Sequence, residues 1–238
     1  DAMPFGLDRP QEDEFALCVL GAPSPYLDWL LPNQPPQYER FTLLHGVSAA
    51  EHAQWCAAFM RVVKSLTHLY QRRLVLKSPL HTGRLATLLH LFPDARVVHI
   101  VRHPYAVIPS TMRLWECLQK LQGLQRPRGV DLSARVLAVF AALHEQFERD
   151  RHLLKAGRHV CVRYEELVAD PLAQMQQVYE EIELPFDAAQ AARLASWAAA
   201  VRAHRPAHHE LTPELRARIN QHCRPYIDTY GYAIDQHC

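Results

Sequence analysis

Arg102 and Ser110 stand eight residues apart in the run Val97-Val-His-Ile-Val-Arg-His-Pro-Tyr-Ala-Val-Ile-Pro-Ser110. A β-branched run closes on the arginine, and His103-Pro104 then opens a helix that carries the serine. A guanidinium at a strand end, beside a helix N-terminus and a hydroxyl, is chemistry suited to a phosphate. The alternative for Arg102 is an ordinary surface ion pair. Two further segments end alike. Leu74-Val-Leu76 stops at Lys77, and His159-Val-Cys-Val162 stops at Arg163-Tyr164. A parallel sheet brings such ends to one edge, where ligands of open α/β sheets bind. Cations and an aromatic ring facing one crevice suit an anionic nucleotide.

These residues need particular elements to hold them. Leu74–Leu76 reads as a short buried strand, 82–91 as a helix stopped before Pro93, and 97–101 as a second strand. The intervening helix has the length of a βαβ crossover, so a parallel sheet is expected. A helix over 104–120 follows, then a Gly/Pro/Arg loop at 123–130. Asp131 caps a long helix to about Leu154, and 159–163 forms the third strand. Helices are expected over 171–183, 187–203 and 212–223. Upstream, Gln11–Leu20 forms a short helix, and the prolines at 32, 35 and 36 mark an irregular crossing. Ser48-Ala-Ala-Glu51 is a capping box that opens a helix burying Ala53, Cys56, Met60, Val63 and Leu66. Glu12-Asp13-Glu14 reads as a solvated first helical turn.

Composition narrows the functional classes. The chain has 238 residues and a net charge of +1, with 26 Lys and Arg spread along it. Nucleic-acid binding through a basic strip is not expected. The apolar runs are too short for a transmembrane segment. Six cysteines without a Cys-x-x-Cys pair suit reduced thiols and a cytoplasmic setting. The sequence opens at Asp1 as a fragment would, and any targeting signal would lie outside it. His204, His208 and His209 could suggest zinc by spacing, but Pro206 interrupts them and no third ligand is near, so no metal is expected.

The segments together resemble the PAPS-dependent sulfotransferases, relatives of the P-loop nucleotide kinases, and in particular their broad bacterial group. Leu74-Val-Leu-Lys-Ser-Pro-Leu-His81 resembles the family's lysine-bearing strand end. Phe92–Ser110 resembles its 3′-phosphate motif, and Val160–Pro171 its third strand with a Tyr-Glu-Asp/Glu-Leu signature. Pro10-Gln-Glu-Asp-Glu-Phe-Ala-Leu17 recurs in the bacterial group. The resemblance covers about residues 1–186. It implies a single α/β domain over 1–238 with a P-loop-NTPase-like, three-layer fold, a parallel sheet and a helical C-terminal part.

It also implies roles. Arg102 and Ser110 would hold the 3′-phosphate, Tyr164 the adenine, and Lys77 the charge on the transferring sulfonate and bridging oxygen. Arg202, His204 and Arg205 would close the 3′-phosphate site. PAPS would be the co-substrate, without a metal, and the acceptor a small-molecule, lipid or sugar hydroxyl. Catalysis of this type rests on positioning, charge stabilisation and a base for the acceptor. His81, Glu12 and Glu14 are the candidate bases. One feature departs from the family: no glycine-rich loop for the 5′-phosphosulfate occurs in these residues. The fold is therefore expected to be N-terminally incomplete, and the chain alone inactive. A non-catalytic nucleotide-binding or interaction module is the alternative function. A kinase relative would need a Walker loop and a magnesium-binding Asp, and neither is visible.

Overall fold

A computed structural model of the chain describes residues 11–129, 131–201 and 211–234. The fold is α/β with a small parallel sheet and mostly helical content. It divides into two compact units. Unit 1 comprises Asp1–Arg84 and Trp115–Val130, and unit 2 comprises Leu85–Leu114 and Asp131–Cys238.

Unit 1 is helical. Helix α1 spans Asp13–Val19 and α2 spans Ala49–Tyr70, with 3-10 turns at Pro25–Trp29, Glu39–Phe41 and Pro79–Arg84. Both bonds of the capping box at Ser48 form. Ser48 Oγ accepts from the Glu51 amide at 3.2 Å, and Glu51 Oε2 accepts from the Ser48 amide at 2.8 Å. The buried face of α2 differs from the expected one. It is built on Trp55, Phe59 and Val62, and Ala53 is exposed. Trp55 and Phe59 stack at 5.0 Å, so the two large rings set the helix rotation and the smaller side chains flank them.

The expected strand at Leu74–Leu76 does not form. The segment has no regular structure, no ladder partner accompanies it among the described residues, and Val75 is 92 % exposed. Apolar composition makes a strand only where a neighbour supplies the hydrogen bonds. The helix expected over 82–91 is also shorter. A 3-10 turn runs to Arg84 and α3 covers Leu85–Leu91.

Unit 2 contains the sheet. β1 (Val97–Val101) pairs in parallel with β2 (His159–Arg163), in register Val97↔His159 through Val101↔Arg163. Helix α4 (Pro104–Gln122) follows β1, and its later turns count with unit 1. Helix α5 (Leu132–Asp150) starts where Asp131 Oδ1 accepts from the Ala134 amide at 3.0 Å. Short α6 (Tyr164–Ala169) and α7 (Pro171–Glu181) follow β2. Val160 and Val162 pack against Val178 and Ile182 of the α7 region on one face. His99 packs on Phe147 of α5 at 3.9 Å on the other. Three layers therefore form around the two strands. On the α7 side of β1, Val98 and Ile100 stay 42 % and 52 % exposed, so β1 is half-covered rather than buried throughout. Helices α8 (Ala188–Val201), α9 (Pro213–His222) and α10 (Arg224–Tyr230) complete the chain. The sequence reading missed α10, which ends at Gly231 with φ 63°, a value that suits glycine.

Candidate functional site

In unit 1 three consecutive acids each meet one basic side chain of the 77–84 segment. Lys77 Nζ donates to Glu12 Oε1 at 2.5 Å. His81 Nε2 donates to Asp13 Oδ2 at 2.8 Å. Arg84 Nη1 donates to Glu14 Oε2 at 2.6 Å. The three pairs grade from wet to dry. The Lys77 side chain is 71 % exposed, and both members of the third pair are fully buried. The acidic triplet is thus not a solvated turn. Asp13 and Glu14 are buried in α1, and an isolated buried carboxylate is costly unless paired. Here the chain pairs each one.

The driest pair is a hub. Glu14 Oε1 also accepts from the Ser24 hydroxyl at 2.6 Å. Arg84 Nη2 donates to the Phe41 carbonyl at 2.6 Å, Nε reaches the Phe41 and Thr42 carbonyls at 3.2 Å, and the guanidinium lies 4.8 Å from the Trp55 ring. One side chain thereby ties α1, the turn at Glu39–Phe41 and α2 together.

The middle pair does not leave an open base. The Asp13 bond uses His81 Nε2, and Nδ1 is buried without a partner among the described residues. The ring rests edge-on against Phe59 at 5.7 Å. His81 is therefore not a helix-surface residue. The outer pair is open. Glu12 accepts a second bond from the Tyr26 hydroxyl at 2.5 Å. Burial, and then the Glu12 carboxylate, push the Tyr26 hydroxyl well above its ordinary value, so it stays a donor. Tyr26 stacks on Trp29 at 4.2 Å, and Trp29 meets Trp115 at 6.1 Å. An aromatic wall thus starts at Glu12.

In unit 2 the ends of β1 and β2 carry Arg102 and Arg163. One hydroxyl, that of Tyr226 in α10, accepts from the Arg102 amide and donates to the Arg102 carbonyl, each at 3.0 Å. The backbone at the end of β1 is fixed in this way. The Arg102 guanidinium lies 4.2 Å from the Tyr164 ring centre. Among the described residues it has no carboxylate partner, so the surface ion pair weighed for it is not found there. Ser110 is half-buried on α4. The His103 amide donates to Glu165 Oε1 at 3.0 Å, fixing the strand-to-helix turn. Arg163 is already committed. Its guanidinium donates to the Tyr230 carbonyl, stacks 4.5 Å from the Tyr232 ring and approaches Glu166 at 3.9 Å. It braces the C-terminal helices rather than offering charge to a ligand.

Arg202, His204, Arg205, His208 and His209 lie outside the described residues. Among the described residues no group of His, Cys, Asp or Glu is arranged to hold a metal. A cavity of about 300 Å³ lined by Leu89, His90, Leu153 and Lys155 lies beside the segments that lead into the two strands, at the opposite end of the sheet from Arg102. The chemistry and that cavity are separate. Asp13, Tyr26, Arg84 and Tyr226 bond to the candidate residues, and sequence reasoning missed them. For the first and third, one signal was present: Lys77, His81 and Arg84 recur at i, i+4 and i+7, facing three consecutive acids.

Comparison with known proteins agrees with this geometry. The model of a family described as the sulfotransferase family matches residues 27–188. Over 237 residues the chain is 36 % identical to the omega-hydroxy-beta-dihydromenaquinone-9 sulfotransferases Stf3 of Mycobacterium bovis and Mycobacterium tuberculosis. The match takes in all of this chain and 61 % of each relative, so the chain spans about three-fifths of their length. The crystal structure of sulfotransferase STF9 from Mycobacterium avium superposes with a TM-score of 0.78 at 23 % identity, over 96 % of this chain and 58 % of that one. Sulfotransferase STF1 from Mycobacterium tuberculosis gives 0.61 at 20 % identity, over 92 % and 57 %. The structural likeness shows a shared fold. Together with the family match, which covers well over half of the chain, it has one reading: this chain belongs to the sulfotransferase family.

Proposed function

We propose that the protein carrying this chain transfers a sulfonate group from PAPS to the hydroxyl of an apolar, lipid-like acceptor. The contact of Lys77 with Glu12 carries this reading. Transfer needs a base at the acceptor hydroxyl and a cation at the leaving oxygen, and unit 1 offers both in one place. The acceptor oxygen attacks sulfur while its proton passes to Glu12. The bond from sulfur to the nucleotide's phosphate breaks, and Lys77 neutralises the charge growing on the bridging oxygen. Glu12 takes the base role because it is the candidate that touches Lys77; His81 is bonded to Asp13 and Glu14 is locked to Arg84 in a fully buried pair. A Lys–carboxylate pair of this kind supports the enzyme over a binding module without chemistry.

Unit 2 supplies nucleotide contacts in this proposal. Arg102 and Ser110 take the 3′-phosphate, and Tyr164 takes the adenine. The guanidinium of Arg102, held at a fixed strand end and without a carboxylate partner among the described residues, supports that assignment. A charge-assisted contact contributes about 1.5–3 kcal/mol. Arg102→Ala is therefore expected to weaken binding of adenosine 3′,5′-bisphosphate about ten-fold or more, read by calorimetry. Equal affinity in parent and variant would remove Arg102 from the site.

We further infer that the 5′-phosphosulfate loop comes from outside residues 1–238, so transfer is assayed in the whole protein. There, Lys77→Ala is expected to lower turnover about 10²-fold, the scale of losing one oxyanion-type donor, with little change in nucleotide affinity. Glu12→Gln should do the same. A loss confined to nucleotide affinity would make Lys77 a binding residue.

The acceptor class rests on the Stf3 relatives, whose name gives an omega-hydroxy menaquinone derivative. The aromatic wall of Tyr26, Trp29 and Trp115 is the feature here that suits such an apolar chain. A cytoplasmic setting is supported by Cys18, Cys56, Cys117, Cys161 and Cys223, which form no disulfide among the described residues.

A further inference from the structure

Leu121 and Leu124 are each 77 % exposed in unit 1. Single exposed leucines are ordinary. These two differ in being presented by a tied structure. Helix α4 ends at Gly123, where any Cβ would collide with the Gln119 carbonyl, so the chain turns sharply out of the helix. The Leu124 amide then donates to the Leu30 carbonyl at 2.8 Å. Asn33 holds the next residues: its Nδ2 donates to the Arg126 carbonyl at 2.9 Å, and its Oδ1 accepts from the Arg128 amide at 2.8 Å. Its own amide donates to Gln125 Oε1 at 3.3 Å. The 30–38 segment is itself anchored, since Asp28 Oδ1 accepts from the Gln37 amide at 2.9 Å. Leu31, 39 % exposed, joins the patch from that side. The leucines therefore face water because the loop is braced to hold them there.

The charges around them are mostly positive. Lys120, Arg126 and Arg128 are exposed, and Glu116 is the one acid in 115–129. That acid approaches Lys120 only at 4.0 Å. The facing residues 30–38 carry no charge. Three cations surround the apolar tip, in a chain whose whole net charge is +1. The patch also joins the site, because Leu30 and Leu31 follow Trp29, whose ring continues the aromatic wall from Tyr26 and Glu12.

From this we propose that the braced 121–128 loop docks unit 1 on an anionic lipid surface, with Leu121 and Leu124 entering the headgroup boundary and Lys120, Arg126 and Arg128 meeting lipid phosphates. No helix among the described residues is long and apolar enough to cross a membrane. A membrane-held acceptor would then reach Glu12 along the aromatic wall. That last step rests on the acceptor reading above, and the docking surface does not.

The test uses the full chain and vesicle flotation. Vesicles of phosphatidylglycerol mixed with phosphatidylcholine are compared with phosphatidylcholine alone. Binding is expected on the anionic vesicles and should fall steeply with salt. Leu121→Ser/Leu124→Ser is expected to lower partitioning about ten-fold or more. Each charge removed at Lys120, Arg126 or Arg128 should lower it roughly five-fold. The substituted side chains are exposed, so thermal melting should not move. The proposal fails if the chain does not float with anionic vesicles, or if the leucine variant floats equally well. It also fails if that variant instead breaks up a concentration-dependent dimer, which would make the patch a contact between copies. None of these readings depends on sulfonate transfer, so loss of the acceptor reading would leave them standing.

Discussion

Glu14→Gln is expected to remove about 3–5 kcal/mol of stability, because it leaves the Arg84 guanidinium buried without its counter-charge. For a chain of this length that is a fall in melting midpoint of roughly 6–20 °C. The cause is desolvation. Arg84 and Glu14 are both inaccessible to water, and water cannot enter to replace the lost charge. The Arg84 bonds to the Phe41 and Thr42 carbonyls remain, but they do not neutralise it. A second variant separates charge from packing. Glu14→Leu with Arg84→Met removes both ions and keeps an apolar volume, so it should recover most of the loss. Tryptophan fluorescence follows unit 1 well, since Trp29, Trp55 and Trp115 lie there and Trp197 does not. A Glu14→Gln protein melting with the parent would show that the pair is not needed for the fold.

Acid should destabilise unit 2 before it protonates most carboxylates. Burial holds His99 down to about 3 and His144 down to about 4, against an ordinary value of 6.5. The two rings lie 5.6 Å apart, and the positive forms of His144, His159 and Arg151 all oppose a proton on His99. Facing it as well are Phe147 and the Tyr230 hydroxyl, which donates to Glu148 at 2.6 Å. Unfolded, both histidines take a proton near pH 6.5; folded, they take it only in stronger acid. The unfolded state thus binds more protons between those values. The stability these rings contribute is complete above pH 6.5 and is lost as pH falls below it. At about pH 5 each ring has withdrawn about 2 kcal/mol, so the pair costs about 4 kcal/mol. Denaturant midpoints measured from about pH 7.5 to 5 should fall accordingly. In His99→Leu the slope should flatten by about half. An identical slope in parent and variant would assign the acid sensitivity elsewhere.

The local features were legible in the sequence, and the distant pairings were not. Ser48 and Glu51 announce their own capping box three residues apart, and Val97–Val101 announces a strand by its branched side chains. Arg102 could be placed at a strand end because strand, turn and helix follow one another directly. The acidic triplet was misread because its partners lie 65, 68 and 70 positions away. A run of three acids in a first helical turn is stable in water on local grounds alone, so nothing near it signals burial. Arg163 was credited to a ligand because its partners Tyr230 and Tyr232 lie near the other end of the chain. Leu74–Leu76 has the composition of a strand, but a ladder is a property of two segments, and one segment cannot show it.

The parallel pairing also has a consequence for synthesis of the chain. Every rung of the sheet joins residues 62 positions apart. At about 5–20 residues per second, β1 leaves the ribosome roughly 3–12 s before its partner exists. For that interval the ladder groups of β1 that pair with β2 are unsatisfied, the kind of edge that other nascent chains can join. Helices α4 and α5 emerge in the meantime, and α5 can cover only the face that His99 occupies. Slow translation through residues 102–158 would lengthen the exposure, and rapid production would crowd many such edges together. Recovery of soluble protein should thus depend on holdase chaperones during elongation more than on the stability of the finished fold.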